Sequence, residues 1–219
     1  MALEVYWGSG SPFAWRVLLT LEVKRLDYES KLLEFSKGDH KTAAYLKLNP
    51  RGKVPTLKDG DFVVYESLAI MAYLDRKYPE PPLFAKTPED TGLIWRALSE
   101  CESYLVSADD KVVRPVFFGK GLEKVEEIQQ AAQTIRQEFK TLDERLASSH
   151  WLLGGQISAA DIGVFPLVQL LLRAASKEAA QPLNLGLLPL AQTYPNIARW
   201  VQRIEALPNY QRTYPPHWR

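Results

Sequence analysis

The chain has 219 residues with 27 Lys and Arg against 26 Asp and Glu, a formal net charge of +1 at pH 7, so it lacks the charge excess that draws a protein to nucleic acid or an anionic membrane. A prior of about 100–200 residues per domain allows one or two domains, and the single cysteine, Cys101, excludes an internal disulfide framework and a Cys-x-x-Cys redox pair. The opening MALEVYWGSG has no basic or long apolar region, so no secretory signal is expected, and the most apolar run, Val164 to Leu172, is broken by Pro166 and Gln169 and is too short for a bilayer.

Leu3 to Trp7 reads as a first strand. The loop Gly8-Ser9-Gly10 leads into Ser11-Pro12, the form of a helix N-cap followed by proline at the first helical position. That helix is expected to reach about Lys24, with Val17, Leu18 and Leu21 on its apolar face. Tyr28 to Phe35 is a second strand, parallel to the first because a helix separates them. Lys41 to Leu48 makes a short irregular helix. Pro55 pushes Val54 out of the α region and opens a strand, where the loss of one ladder donor is tolerated. Lys58-Asp59-Gly60-Asp61, between Thr56-Leu57 and Phe62 to Tyr65, is a hairpin with glycine supplying the positive φ. Ser67 then reads as the N-cap of a helix to about Lys77. The order βαβαββα implies a mixed sheet with helices on both faces.

Tyr78-Pro79-Glu80-Pro81-Pro82 marks the clearest boundary, since three prolines in four positions cannot continue a helix. The expected division is residues 1–78, a linker at 79–88, and an all-helical region at 89–219. Ile94, Leu98, Cys101, Leu105, Ala108 and Val112 form one stripe of helical period, and Val125 to Leu146 a second. The Phe117–Gly121 turn joins them into an antiparallel pair, the start of a bundle. In Gln156 to Ile162, Ser158 and Asp161 have the spacing of a capping box, with Ile157 and Ile162 at the hydrophobic-staple positions. This pair is read as a folding device. The helix after it runs from Ala160 to about Ala175, and Tyr194 to Leu207 is the last one. Asp109-Asp110 reads as solvated acids and Cys101 as a core thiol, and His150 and His217 have no metal-ligand spacing.

The ordered set Asn49-Pro50-x-Gly52-x-Val54-Pro55, then Asp59-Gly60, then Glu66-Ser67 opening a helix, resembles the glutathione-binding half of the cytosolic glutathione transferase superfamily. The Ser158–Asp161 box has a counterpart in the second domain of that superfamily, so the resemblance covers the whole chain. It implies a thioredoxin-like α/β first domain, a cis Val54-Pro55 bond, and an all-α second domain contributing the electrophile pocket. It also implies a cytoplasmic homodimer that uses glutathione, without a metal, to attack small hydrophobic electrophiles. A glutathione-dependent isomerase, peroxidase or dehalogenase, and a non-catalytic binding or regulatory relative, are the alternatives.

The same resemblance assigns roles. The Val54 backbone pairs with the cysteinyl unit of glutathione, and the pair Glu66-Ser67 grips its γ-glutamyl end. In serine-type classes a hydroxyl five residues before the arginine of a Trp-Arg-Val run holds the sulfur as thiolate, and counting back from Arg16 lands on Ser11. Such a hydrogen bond to the charged form, beside a positive helix end, depresses the thiol pKa. Ser9 and Tyr6 are the rival hydroxyls. His40, Lys41 and Lys53 are the cations for the glycyl carboxylate, while Arg51 and Arg16 are read as structural or exposed.

Overall fold

The computed structural model describes residues 3–219. Its first unit comprises the chain up to Phe84 together with Leu207–Arg219, and its second spans Ala85–Ala206.

In the first unit, alternation buries Leu3, Val5 and Trp7 along strand β1 (Leu3–Trp7) and leaves Glu4 and Tyr6 half-buried. Helix α1 (Pro12–Val23) crosses over to β2 (Tyr28–Leu32), which lies parallel to β1 with Leu3 opposite Tyr28. A short helix α2 (Ala43–Leu48) precedes the hairpin of β3 (Thr56–Asp59) and β4 (Phe62–Tyr65), and α3 (Ser67–Lys77) closes the unit. The sheet order is β2-β1-β3-β4, antiparallel except between β1 and β2. The βαβαββα order expected from the sequence is thus the observed one. Leu3, Val5, Trp7 and Leu57 pack against Val17, Leu18 and Leu21 of α1 and Ile70 and Leu74 of α3. On the opposite face Tyr6 meets Tyr45 of α2, ring centroids 5.9 Å apart.

Three boundaries differ from the sequence reading, each for a visible reason. The second strand stops at Leu32 rather than Phe35, because the Asp39 carboxylate takes the Glu34 N–H at 2.8 Å and the chain turns through Gly38 at φ 74°. Phe35 is thereby rotated onto Gly8, where a β-carbon would come within 2.2 Å of its ring. Ser67 is the first helical residue of α3, and Glu66, at φ 73°, is the N-cap, its carbonyl accepting from the Ile70 N–H at 3.0 Å. The proline-rich segment is held on the first unit as far as Phe84. Buried Lys24 reaches Asp75 at 2.7 Å and donates to the carbonyls of Tyr78 and Pro81, while Asp75 accepts from the N–H groups of Leu83 and Phe84.

The last residues, which the sequence reading grouped with the helical region, lie along α1. Trp15 donates its indole N–H to Thr213 Oγ1 at 2.9 Å, and Arg212 reaches Glu22 at 3.3 Å. Tyr210, Tyr214 and Trp218 pack their rings on Trp15 at 5.5–6.2 Å between centroids.

The second unit is helical. Helix α4 (Pro88–Glu100), capped by the Thr87 hydroxyl, runs through a π-helical stretch, Cys101–Val106, into α5 (Ser107–Phe117). Helix α6 (Val125–Ala147) returns antiparallel, and α7 (Ala159–Ala175) fills the centre, buried along nearly its whole length. The chain continues through α8 (Leu190–Thr193) to α9 (Pro195–Glu205). Gly163 lets α7 approach α4, since a β-carbon there would lie 2.3 Å from Leu98 Cδ2. The capping box is formed as expected, with Ser158 and Asp161 bonding reciprocally at the start of α7. Among the described residues no helix is long and apolar enough to cross a membrane.

Candidate functional site

The end of the sheet at which β1 stops and β3 begins gathers most of the residues singled out from the sequence. Beyond β1 the chain makes a tight turn, Gly8-Ser9-Gly10-Ser11, closed by the Ser11 N–H on the Gly8 carbonyl at 3.2 Å. Gly10 at φ 80° occupies the position of such a turn that only glycine fills without strain. Ser11 follows in extended conformation and caps α1, its Oγ accepting from the Ala14 N–H at 3.2 Å. A hydroxyl has one proton to give, and the cap bond leaves that of Ser11 uncommitted. At the tip of the turn, Ser9 Oγ and His217 Nδ1 are 2.5 Å apart.

Opposite this turn is the segment before β3, built by a buried polar network. The Asn49 amide donates to the Lys53 carbonyl at 2.8 Å and to Thr56 Oγ1 at 3.1 Å, and its oxygen accepts from the Arg51 N–H at 3.0 Å. Tyr45 donates to the same Lys53 carbonyl at 2.6 Å and meets the Thr56 hydroxyl at 2.8 Å. The turn needs Gly52 at φ 57°, where a β-carbon would also press on Lys41 Nζ at 2.8 Å. The Val54-Pro55 bond is cis, as the resemblance implies.

The pairing that sets Tyr6 opposite Thr56, and Thr56 opposite Tyr65, places Val54 between Gly8 and Ser67 when carried two positions further. Among the described residues the Val54 N–H and C=O have no partner. Half-buried Val54 therefore presents one open amide and one open carbonyl, the pattern to which an extended peptide adds.

Ser67 and the N–H groups at the mouth of α3 flank it. Positive φ at Glu66 stores backbone strain of about 1–3 kcal/mol, of a kind that gathers at functional sites. The Glu66 side chain is exposed, 3.7 Å from Arg51 Nε. Arg16, read from the sequence as structural or exposed, is 1% exposed. It donates from Nη1 to Ser67 Oγ at 3.2 Å, which also leaves the Ser67 proton for another acceptor.

Lys41 donates to the Gly52 carbonyl at 3.0 Å, so the segment at 40–41 lies against 52–53 and the three expected cations share one neighbourhood. Lys53 is exposed. His40 stands edge-on to Phe35, and its Nδ1 is buried without a partner. Tyr6, the remaining rival hydroxyl, donates to the Glu4 carboxylate at 2.9 Å, and burial pushes its phenol up to about 12. Its proton is thereby committed to Glu4. Sequence reasoning missed the Arg16–Ser67, Tyr45–Thr56 and Ser9–His217 contacts. Only Asn49, from its place before Pro50 in a turn sequence, carried a local signal.

The sequence profile of the glutathione S-transferase N-terminal domain matches residues 10–77, and that of the glutathione S-transferase C-terminal domain matches residues 125–203. Human glutathione S-transferase theta-1 is 32% identical over 216 residues, 94% of this chain and 83% of the human protein. Glutathione S-transferase A of Pleuronectes platessa is 28% identical over 225 residues, covering 99% of this chain and 92% of its own. A glutathione S-transferase crystal structure from the Antarctic clam Laternula elliptica superposes with a TM-score of 0.81 at 32% identity, covering 100% of this chain and 94% of that one.

Proposed function

The chain belongs to the glutathione S-transferase family and is a glutathione transferase, and on that premise we propose that Ser11 is the hydroxyl that holds the glutathione sulfur as thiolate. In this reading the tripeptide lies extended across the end of the sheet, its cysteinyl amide and carbonyl on the open backbone of Val54. The γ-glutamyl carboxylate takes the Ser67 hydroxyl and the mouth of α3, where helix N–H groups and the positive dipole end favour an anion. Glu66, exposed beside it, faces the γ-glutamyl ammonium. His40, Lys41 and Lys53 receive the glycyl carboxylate.

The thiol loses its proton to solvent on binding. The thiolate forms a bond to the electrophilic carbon, and the displaced group departs with the bonding electrons, or the adduct takes up a proton. Lowering the thiol pKa raises the share of the nucleophilic form. Small hydrophobic electrophiles are the proposed acceptors, and a homodimer in the cytoplasm, typical for the family, the proposed form.

The observation that carries the reading is the unpartnered backbone of Val54 between the Ser11 turn and Ser67. The test is titration of the bound thiol by its ultraviolet thiolate absorbance. A hydrogen bond to a charged group contributes about 1.5–3 kcal/mol, so Ser11→Ala is expected to raise the thiol pKa by about 1–2 units while the tripeptide still binds. An unmoved titration for Ser11→Ala, with the shift appearing in Ser9→Ala instead, overturns the assignment.

A further inference from the structure

The turn that presents Ser11 is gripped from outside by residues far away in sequence. His217 and Trp218, in a short 3-10 turn Pro216–Trp218, sit over its tip: Ser9 Oγ is 2.5 Å from His217 Nδ1, and the Trp218 indole donates to His217 Nε2 at 3.0 Å. A β-carbon on Gly10 would come within 2.7 Å of His217 Cε1 and 3.3 Å of Trp218 Nε1. The imidazole is thus in contact with the turn, and Gly10 is required by that contact as well as by its φ of 80°.

The chemistry of the three groups orders the protons. An indole N–H donates and cannot accept, so His217 Nε2 must offer its lone pair to Trp218. A neutral imidazole accepting at Nε2 carries its proton on Nδ1. Nδ1–H therefore donates to Ser9 Oγ. The reverse arrangement would set two donors, Nε2–H and indole N–H, against each other at 3.0 Å. The segment behind them is anchored independently: Trp218 stacks edge-on against Trp15 at 5.5 Å, and Trp15 bonds Thr213.

We propose that Trp218 and His217 are positioning residues of the transferase site: they hold the Gly8–Ser11 turn through a fixed Nδ1–H tautomer and so aim the Ser11 hydroxyl at the sulfur. The proposal rests on the Ser11 reading above. Neither residue touches the tripeptide. Their effect passes through the turn and therefore falls on the thiol, and on kcat, more than on glutathione affinity.

Two measurements on the full-length protein test it. Nitrogen-15 NMR of labelled imidazole is expected to show His217 as the Nδ1–H tautomer at neutral pH, shifting towards a mixture in Trp218→Phe, which keeps an aromatic side chain but has no N–H to donate. In the thiolate titration, His217→Ala is expected to raise the bound thiol pKa by about half a unit, a roughly threefold loss of thiolate below the pKa. The same change should lower kcat, with the glutathione KM within about twofold. His217→Asn, whose amide N–H takes the place of Nδ1–H, is expected to restore both. Gly10→Ala, which displaces the imidazole, should shift the thiol in the direction of His217→Ala. An Nε2–H tautomer overturns the proposal. So does a His217→Ala variant that folds and titrates like wild type, or a failure of His217→Asn to rescue. If Ser11→Ala itself leaves the thiol unmoved, the Ser11 reading falls and this proposal with it; if Ser11→Ala moves it and His217→Ala does not, only the clamp is refuted.

Discussion

Asp161 offers the sharpest test of how the helical unit is held. It is fully buried and accepts four hydrogen bonds. Oδ1 takes the Leu152 N–H at 2.8 Å and the Trp200 indole at 2.9 Å, and Oδ2 takes the Ser158 N–H and hydroxyl, both at 2.9 Å. One carboxylate thus ties the loop before α7, the start of α7 and the middle of α9. Asp161→Ala leaves the N–H groups of Leu152, Ser158 and Trp200 buried without an acceptor, while the Ser158 hydroxyl can turn elsewhere. At about 1–3 kcal/mol for each orphaned donor, and allowing for relaxation, the expected loss is about 4 kcal/mol. Asp161→Asn keeps one oxygen. If it serves Leu152 and Trp200, the new NH2 faces the Ser158 N–H as donor against donor, and the loss should be about half. Urea unfolding at constant m, read as a shift in midpoint, measures both. A loss under about 1 kcal/mol for Asp161→Ala would refute the reasoning. Equal losses for Ala and Asn would show that charge, not the count of acceptors, is what matters.

Two further outcomes follow from buried charge. Asp109 is 7% exposed and its Oδ1 has no partner; burial chiefly, with the neighbouring Asp110 charge second, pushes its carboxyl up to about 8. Because the folded value lies above the unfolded one, the native state holds an extra proton in between, and its stability is full below about pH 4 and falls as pH rises towards 8. Asp109→Asn should flatten that decline and stabilise the protein at neutral pH by at most about 4 kcal/mol, roughly three units at about 1.4 each. Urea midpoints that do not vary with pH in the wild type would exclude it. Arg16→Met fills much the same volume but removes the donor to Ser67. Glutathione affinity measured by calorimetry should fall about tenfold, near 1.4 kcal/mol, and a dissociation constant within twofold of wild type would show that Arg16 does not set that hydroxyl.

What could be read from the sequence was what the chain specifies locally. Val54-Pro55, Asp59-Gly60 and the Ser158–Asp161 box each act within a few residues, and all are where the residues put them. Local rules fail when a distant side chain competes. Ser67 reads as a helix cap because serine usually accepts a backbone N–H there, but Arg16, 51 positions upstream, donates to its oxygen, and Glu66 caps at positive φ. The proline run looked like a free spacer, yet a lysine 54 positions upstream of Tyr78 fixes it. Phe35 continued an apparent strand, but its ring belongs over Gly8. The 208 positions between Ser9 and His217 put their contact beyond any spacing argument.

The three serines at the end of the sheet share one device. Ser11 Oγ accepts from the Ala14 N–H, Ser67 Oγ from the Arg16 guanidinium and, given the tautomer argued above, Ser9 Oγ from the His217 imidazole. In each case a protein N–H occupies one of the two oxygen lone pairs and leaves the hydroxyl proton available to offer. On the proposed reading these hydroxyl protons are the groups that meet a thiolate or a carboxylate. Solvent would also donate to an anion, but it must reorganise to do so, whereas these dipoles are fixed before the ligand arrives.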